Sequence, residues 1–208
     1  KIKSLNLKNS LSEFYKIQNK NILVFFKYHN TGVLNFLNHQ HEDNFHFNLY
    51  YKDTPVLTDL NRLNYLNEDG TFSKYHNSVS VNNYGPLINN SNKHPINFLK
   101  SKNFLKIKKN KNIFMKSNCF KFINTDFKWK RNISISDKHI NLNDDFISKS
   151  NSVKKVYLHF HPEIKFFKKI NNKIIFTNRN PKFKVEVNFY DIRNKKLKIN
   201  KSFYSNSY

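Results

Sequence analysis

The sharpest pattern in the chain lies near its end, where Phe183, Val185, Val187 and Phe189 alternate with Lys182, Lys184, Glu186, Asn188 and Tyr190. A two-residue period sends one set to a packed face and the other to water, so this run predicts a strand. Runs over 153–160, 173–177 and 196–203 read the same way, separated by Asn171-Asn172, Asn178 to Pro181 and Asp191 to Asn194. Together they predict an antiparallel β meander.

The first half mixes periods. Ser10 and Glu13 have capping-box spacing, and Leu11, Phe14, Tyr15 and Ile17 make an apolar face, so residues 10–20 predict a helix. Residues 21–28 predict a buried strand; Val33, Leu34, Phe36 and Leu37, after Gly32, predict a short helix running toward His39. Phe45, Phe47, Leu49 and Tyr51 alternate with polar neighbours as a half-buried strand does. Thr54-Pro55 resembles an N-cap and first helical position, with Val56, Leu57, Leu60 and Leu63 lining a face and Asp69-Gly70 as the stop. Asn-rich residues 71–97, with Gly85-Pro86 and His94-Pro95, predict a short strand and then a loop between two lobes. The expected fold class is α+β: two small lobes, a helix-strand-helix-strand N-terminal lobe and a strand-rich C-terminal lobe, plus the added antiparallel β meander. The expected divisions are 1–85, 86–140 and 141–208.

Charge changes the picture. Lys and Arg number 37 against 14 Asp and Glu, a net +23 on 208 residues, which calls for a polyanionic partner. Residues 1–97 carry 10 basic and 7 acidic residues, whereas 98–208 carry 27 and 7. No apolar stretch reaches the roughly 18 residues of a spanning helix, and no basic amphipathic helix is visible, so no membrane insertion is expected. With 38% hydrophobic residues the chain can bury a core. The absence of Ala, together with only 3 Gly, indicates an AT-rich gene, in which Asn replaces Gly at turns and Lys replaces Arg. Cys119 stands alone, which suits a reducing compartment. The first residue is Lys1 rather than Met, so an incomplete N-terminus is expected.

Residues 98–133 hold 11 basic residues and one acid, Asp126, interleaved with aromatics. Such interleaving suits phosphate contact beside a stacking face. Lys106, Lys108, Lys109, Lys128, Lys130 and Arg131 are candidate RNA contacts, and Trp129 either stacks on a base or anchors the core.

Segment 47–63, FNLYYKDTPVLTDLNRL, resembles the strand-and-turn signature of the small-subunit ribosomal protein eight family, with Ile17-Gln18-Asn19 upstream. Residues 117–126, SNCFKFINTD, resemble that family's rRNA-facing loop, without its glycines. The resemblance implies that Ser117, Lys121 and Thr125 contact rRNA. It further implies partners in small-subunit rRNA and neighbouring ribosomal proteins, and a place in an organellar ribosome of the mitochondrial matrix, with the plastid as alternative. The competing reading is a peripheral structural subunit of an organellar respiratory or ATP-synthase complex. A homing endonuclease or maturase would need a carboxylate motif that is not found.

Histidines supply the remaining chemistry. His39, His41 and His46 lie near Glu42 and Asp43, and His159 and His161 near Glu163, but a metal site would require these distant groups to meet. There is no CxxC, HExxH or phosphate-binding loop. Asp144-Asp145 and Glu68-Asp69 read as solvated turns, and Cys119 as a small core residue. No catalytic residue, metal, cofactor or small-molecule substrate is therefore expected, and the chain is not expected to be an enzyme.

Overall fold

A computed structural model describes residues 12–29, 42–60, 73–86, 103–108, 111–149, 151–179 and 182–188. Among them every regular element is a strand, apart from one 3-10 turn at Ser73–Tyr75. Strands β1 (Ser12–Gln18), β2 (Ile22–His29), β3 (Phe47–Tyr51) and β4 (Thr54–Leu57) form an antiparallel sheet in that order. Strand β5 (Val79–Val81) follows. Strands β6 (Asn103–Lys108), β7 (Asn112–Ser117), β8 (Lys128–Ile135) and β9 (Ile140–Ile147) make a second four-stranded antiparallel sheet. Strand β10 (Lys154–Val156) pairs with β5, and β11 (Lys165–Ile170), β12 (Lys173–Asn178) and β13 (Phe183–Asn188) form a three-stranded meander.

The two larger sheets share one core. Ile22, Val24, Phe26 and Tyr28 are the inward row of β2, and Ile113 and Met115 of β7, with Trp129, Ile133 and Ile135 of β8, supply the opposing face. The Phe45 and Trp129 rings meet across it at 4.9 Å. Each such side chain contributes roughly 1.5–3 kcal/mol by leaving water, which makes this sandwich the main source of stability. A satellite core of Ile164, Ile174 and Phe176 lies under the meander, closed by Phe160 stacked at 3.9 Å on Phe176. Tyr51 against Phe183, at 5.4 Å, links the meander to the first sheet.

The expected α+β class is overturned, because the helices read at 10–20 and after Thr54 are strands β1 and β4. Tyr15 and Ile17 fit a helical stripe and an alternating strand equally well over so short a run, and pairing with β2 decides the matter. Thr54-Pro55 is the return of a hairpin from β3. Its turn residues, Lys52 and Asp53, have φ of 46° and 63°, as a two-residue primed turn requires. Neither residue advertises that conformation as Gly would. Strands β2, β3, β12 and β13 lie where the alternation or the continuous apolar run placed strands. The helix read at 33–37 and the strand read at 196–203 lie outside the described residues.

Candidate functional site

Polar side chains are concentrated at one end of the first sheet, where they are buried rather than solvated. The segment Glu42–His46 leads into β3, Thr58-Asp59 follow β4, and Ser73–Ser78 precede β5; of these, Glu42, Asp43, Asn44, His46, Ser73, His76, Asn77 and Ser78 are all buried. Burial at this density is tolerated only with partners.

Asn77 is the hub. Its backbone N–H donates to His46 Nδ1 at 2.9 Å, and its amide Nδ2 donates to the carbonyls of Phe47 at 2.8 Å and Thr58 at 3.1 Å. Its Oδ1 accepts from the backbone N–H of His159 at 2.6 Å. One side chain thus ties β3, the end of β4 and the strand leaving β10.

Asp59 joins the two buried histidines. His76 Nδ1 lies 2.8 Å from Asp59 Oδ1, and His46 Nε2 lies 3.5 Å from Asp59 Oδ2 and 3.0 Å from Asn48 Oδ1. Burial lowers the pKa of His46 and holds the ring neutral. Burial also opposes the charge on His76, but the hydrogen bond and the charge of Asp59 outweigh it and raise its pKa. His159, close enough to feel Asp59, His76 and His46, is pushed down to about 4 by burial, and its buried Nε2 has no hydrogen-bond partner.

Ligand atoms of His46, Asp59 and His76 all lie within 4.8 Å of one another. Two imidazoles and a carboxylate are the donors of zinc-class sites. The hydrogen bonds set a condition on such a site. Because His46 Nδ1 accepts from Asn77, the proton of the neutral ring belongs on Nε2, the atom that would bind the ion. Binding through Nε2 would move that proton toward the Asn77 N–H, and binding at His76 Nδ1 would displace the proton it shares with Asp59 on a ring whose pKa is raised, so an ion must displace a proton at each histidine.

Glu42 closes the site from the side. Burial pushes its carboxyl up to about 7 even though the Ser73 N–H donates to Oε2 at 2.9 Å. Gly85 packs so tightly here that any Cβ would overlap the Glu42 carboxyl group.

The site is braced from the other sheet by Arg131. The side chain is fully buried in the inward row of β8, between Trp129 and Ile133. Its Nε and Nη2 donate to Asp144 Oδ1 and Oδ2, each at 2.8 Å, and Trp129 Nε1 donates to the same Oδ1 at 2.8 Å. The remaining nitrogen, Nη1, donates to the carbonyls of Phe45 and Asn77, both at 2.9 Å. Those two residues adjoin His46 and His76. Phe45 is held at φ 58°, a left-handed conformation that costs a large residue roughly 1–3 kcal/mol and that the Arg131 contact helps to impose.

The residues proposed from sequence as RNA contacts are not gathered on one surface. Trp129 and Arg131 face the core, whereas Lys128 is exposed and Lys130 half-buried on the other face of β8. Ser117 is buried and accepts the Cys119 N–H at 3.0 Å. Lys121 sits half-buried in the turn after β7, Thr125 is exposed, and Lys106 and Lys108 are exposed on β6; Lys109 lies outside the described residues. Of the histidine groups, His46 and His159 do converge, whereas His39 and His41 lie outside the described residues. Asp59, His76, Asn77 and Asp144 were missed as site residues.

Residues 10–208 match the family model for the heparinase II/III-like, C-terminal domain. The chain belongs to this family. Two solved structures agree in fold: a heparinase III with methylated lysines (13% identical, TM-score 0.58) and a heparinase III (14% identical, TM-score 0.58). The match covers 83% and 82% of this chain but 28% and 26% of theirs, so the chain spans about a quarter of the length of these relatives. No curated protein sequence matches.

The family assignment overturns the resemblance to small-subunit ribosomal protein eight and what it implied: rRNA and ribosomal proteins as partners, and a place in a mitochondrial or plastid ribosome. The respiratory or ATP-synthase alternative falls with it. The physical reason is that 47–57 is a hairpin of β3 and β4, where a strand followed by a helix was read. Both neighbours carry an enzyme's name, against the expectation that the chain is not an enzyme, but the chain covers about a quarter of their length.

Proposed function

We propose that this chain is the β-sandwich part of a heparinase-type protein acting on an acidic polysaccharide, with a divalent-ion seat at His76, Asp59 and His46. The observation that carries the reading is the family match over residues 10–208 on a chain of net charge +23. A polyanion was the partner that composition demanded, and an acidic polysaccharide is one.

The chain's own residues divide the labour. Arg131 and Asn77 hold the two histidine-bearing segments together, and Asp59 orients His76 by accepting a hydrogen bond from its Nδ1–H. An ion would supply a fixed positive charge and lock the segments that lead into β3 and β5. The exposed lysines would supply electrostatic attraction for sulfate or carboxylate groups.

Retention on immobilised heparin, compared with neutral dextran, tests the polysaccharide part. The expected result is strong retention on heparin, released by salt, and none on dextran; elution of both at the same low salt would end the reading. Equilibrium dialysis against zinc tests the ion seat. His76→Ala, Asp59→Ala and His46→Ala should each weaken or abolish binding, and undiminished binding by any of the three would refute the seat.

A further inference from the structure

The meander β11–β12–β13 turns one face to the satellite core and leaves the other uncovered. Register lays that outer face out as a grid: Lys165, Thr177 and Lys184 in one row, Lys168, Ile175 and Glu186 in the next, Ile170, Lys173 and Asn188 in the third. Rows two residues apart are about 7 Å apart, so the grid is about 14 Å long. Four lysines stand against one carboxylate, a surplus of 4 − 1 = 3 positive charges. Glu186 holds Lys184 at 2.7 Å and Lys173 at 2.9 Å, which keeps these two ammonium groups over the sheet. Lys165 and Lys168 meet no carboxylate within the grid.

A shallow groove of about 590 Å³ runs over this face, walled by Lys168, Lys173, Lys184 and the Glu186 carboxylate that pairs with the last two, flanked by the amides of Asn171 and Asn188, and floored by Ile175. Ile175 is only 3% exposed although it points away from the core, because these longer side chains close over it.

We infer that this outer face is a binding groove for a segment of acidic polysaccharide, lysine ammonium groups taking its sulfate or carboxylate groups and the asparagine amides its hydroxyls. The inference rests on the proposed function and gives it a location separate from the buried His46–Asp59–His76 cluster. Protection of sheet edges would account for lysines on β11 and β13, but not for Lys173, which projects from the central strand. Single-stranded nucleic acid is a poorer fit, since the groove lining contains no aromatic ring on which a base could stack. The openness of a face only three strands wide suits a chain passing across it better than an enclosed small molecule.

The test is calorimetric titration of the full chain with a heparin hexasaccharide. It is run on the wild type, on Lys165→Glu/Lys168→Glu, and on Lys106→Glu/Lys108→Glu as an equal charge change on exposed β6. The groove predicts that the β11 pair weakens binding at least about tenfold while the β6 pair changes it less than about threefold. Lys168→Gln, which removes one ammonium group without reversing charge, should give an intermediate loss with an unchanged melting temperature. Equal weakening by both pairs would refute the groove and leave the heparinase-type reading standing; no binding by the wild type would overturn both. Binding of single-stranded RNA or of phosphatidylglycerol vesicles with the same dependence on Lys165 and Lys168, and no preference for heparin, would also refute it.

Discussion

Asp144→Asn isolates the brace under the candidate site. Arg131 is fully buried and Asp144 has a side-chain exposure of 6%, so the pair sits where water cannot screen or replace a lost partner. Removing one member of a buried pair leaves an uncompensated charge, and such losses run to about 3–5 kcal/mol. That is a large fraction of the roughly 5–15 kcal/mol that holds a domain folded. Arg131→Met should cost a similar amount by another route, leaving the Phe45 and Asn77 carbonyls without their donor at about 1–3 kcal/mol each. The double variant Arg131→Met/Asp144→Asn should be less destabilised than the sum of the two single changes, since no lone charge remains, yet it still orphans both carbonyls. Urea denaturation of the four proteins gives the cycle directly. A cost below about 1 kcal/mol for Asp144→Asn, or strict additivity in the cycle, would refute the brace. Zinc dialysis of Arg131→Met adds a readout that stability alone does not move: loss of affinity in still-folded protein is expected if Arg131 positions His46 and His76.

Other consequences can be checked independently. Folded Glu42 titrates at about 7 against 4.5 for a free carboxyl, so the folded state keeps a proton the unfolded chain has lost. Its contribution is full below pH 4.5 and is lost as pH rises through 7, roughly 3 kcal/mol in all, so Glu42→Gln should flatten the fall in melting temperature between about pH 5 and 8. An identical slope in the variant would refute this. His159, pushed down to about 4, acts in the opposite sense, its contribution present above 6.5 and lost as pH falls toward 4; His159→Gln should therefore narrow the acid-side loss. Cys119 is buried with its thiol pushed up to about 12, so it should react with a thiol reagent at pH 8 only at the rate of unfolding, and prompt labelling would contradict its placement. Replacing Lys52-Asp53 by Asn-Gly should stabilise the β3–β4 hairpin by about 1 kcal/mol, measured by urea midpoint, because both positions have positive φ.

What could be read from sequence was what a short window contains. The strict alternation at 183–189 and the apolar run at 21–28 became β13 and β2 because each records its surroundings residue by residue. Strand β4 was hidden because Thr54-Pro55 imitates a helix start, and its hairpin turn is written Lys-Asp in a chain poor in Gly. Asn171, at φ 48° between β11 and β12, shows that the substitution of Asn for Gly at turns was the right key for that hairpin. The candidate site was less legible, because His46, Asp59 and His76 come from three separate segments whose approach depends on how β3, β4 and β5 assemble. Asp144 looked like part of a solvated turn. A usable signal lay in the spacing: once 128–135 and 140–147 are read as a hairpin, register puts Arg131 opposite Asp144.

Net charge called for a polyanion, and the ribosomal RNA to which it was assigned is overturned by the family match. Composition cannot separate phosphate from sulfate or carboxylate, because each ammonium group responds to charge before geometry. What separates them is how the lysines are arranged against other groups. Interleaved Lys and aromatic residues at 128–131 suggested base stacking, but a strand sends neighbours to opposite faces, so Trp129 and Arg131 enter the core while Lys128 stays in water. On the β11–β13 grid the pattern is the reverse: the lysines share a face with amides and a buried Ile175, and the exposed Phe167 lies outside the groove. The groove lining offers cations and hydrogen bonds in a shallow row, and the exposed Phe167 beside it has the Lys168 ammonium over its ring at 5.4 Å. That is the arrangement a charged, hydroxyl-rich chain can use and a nucleic acid uses poorly.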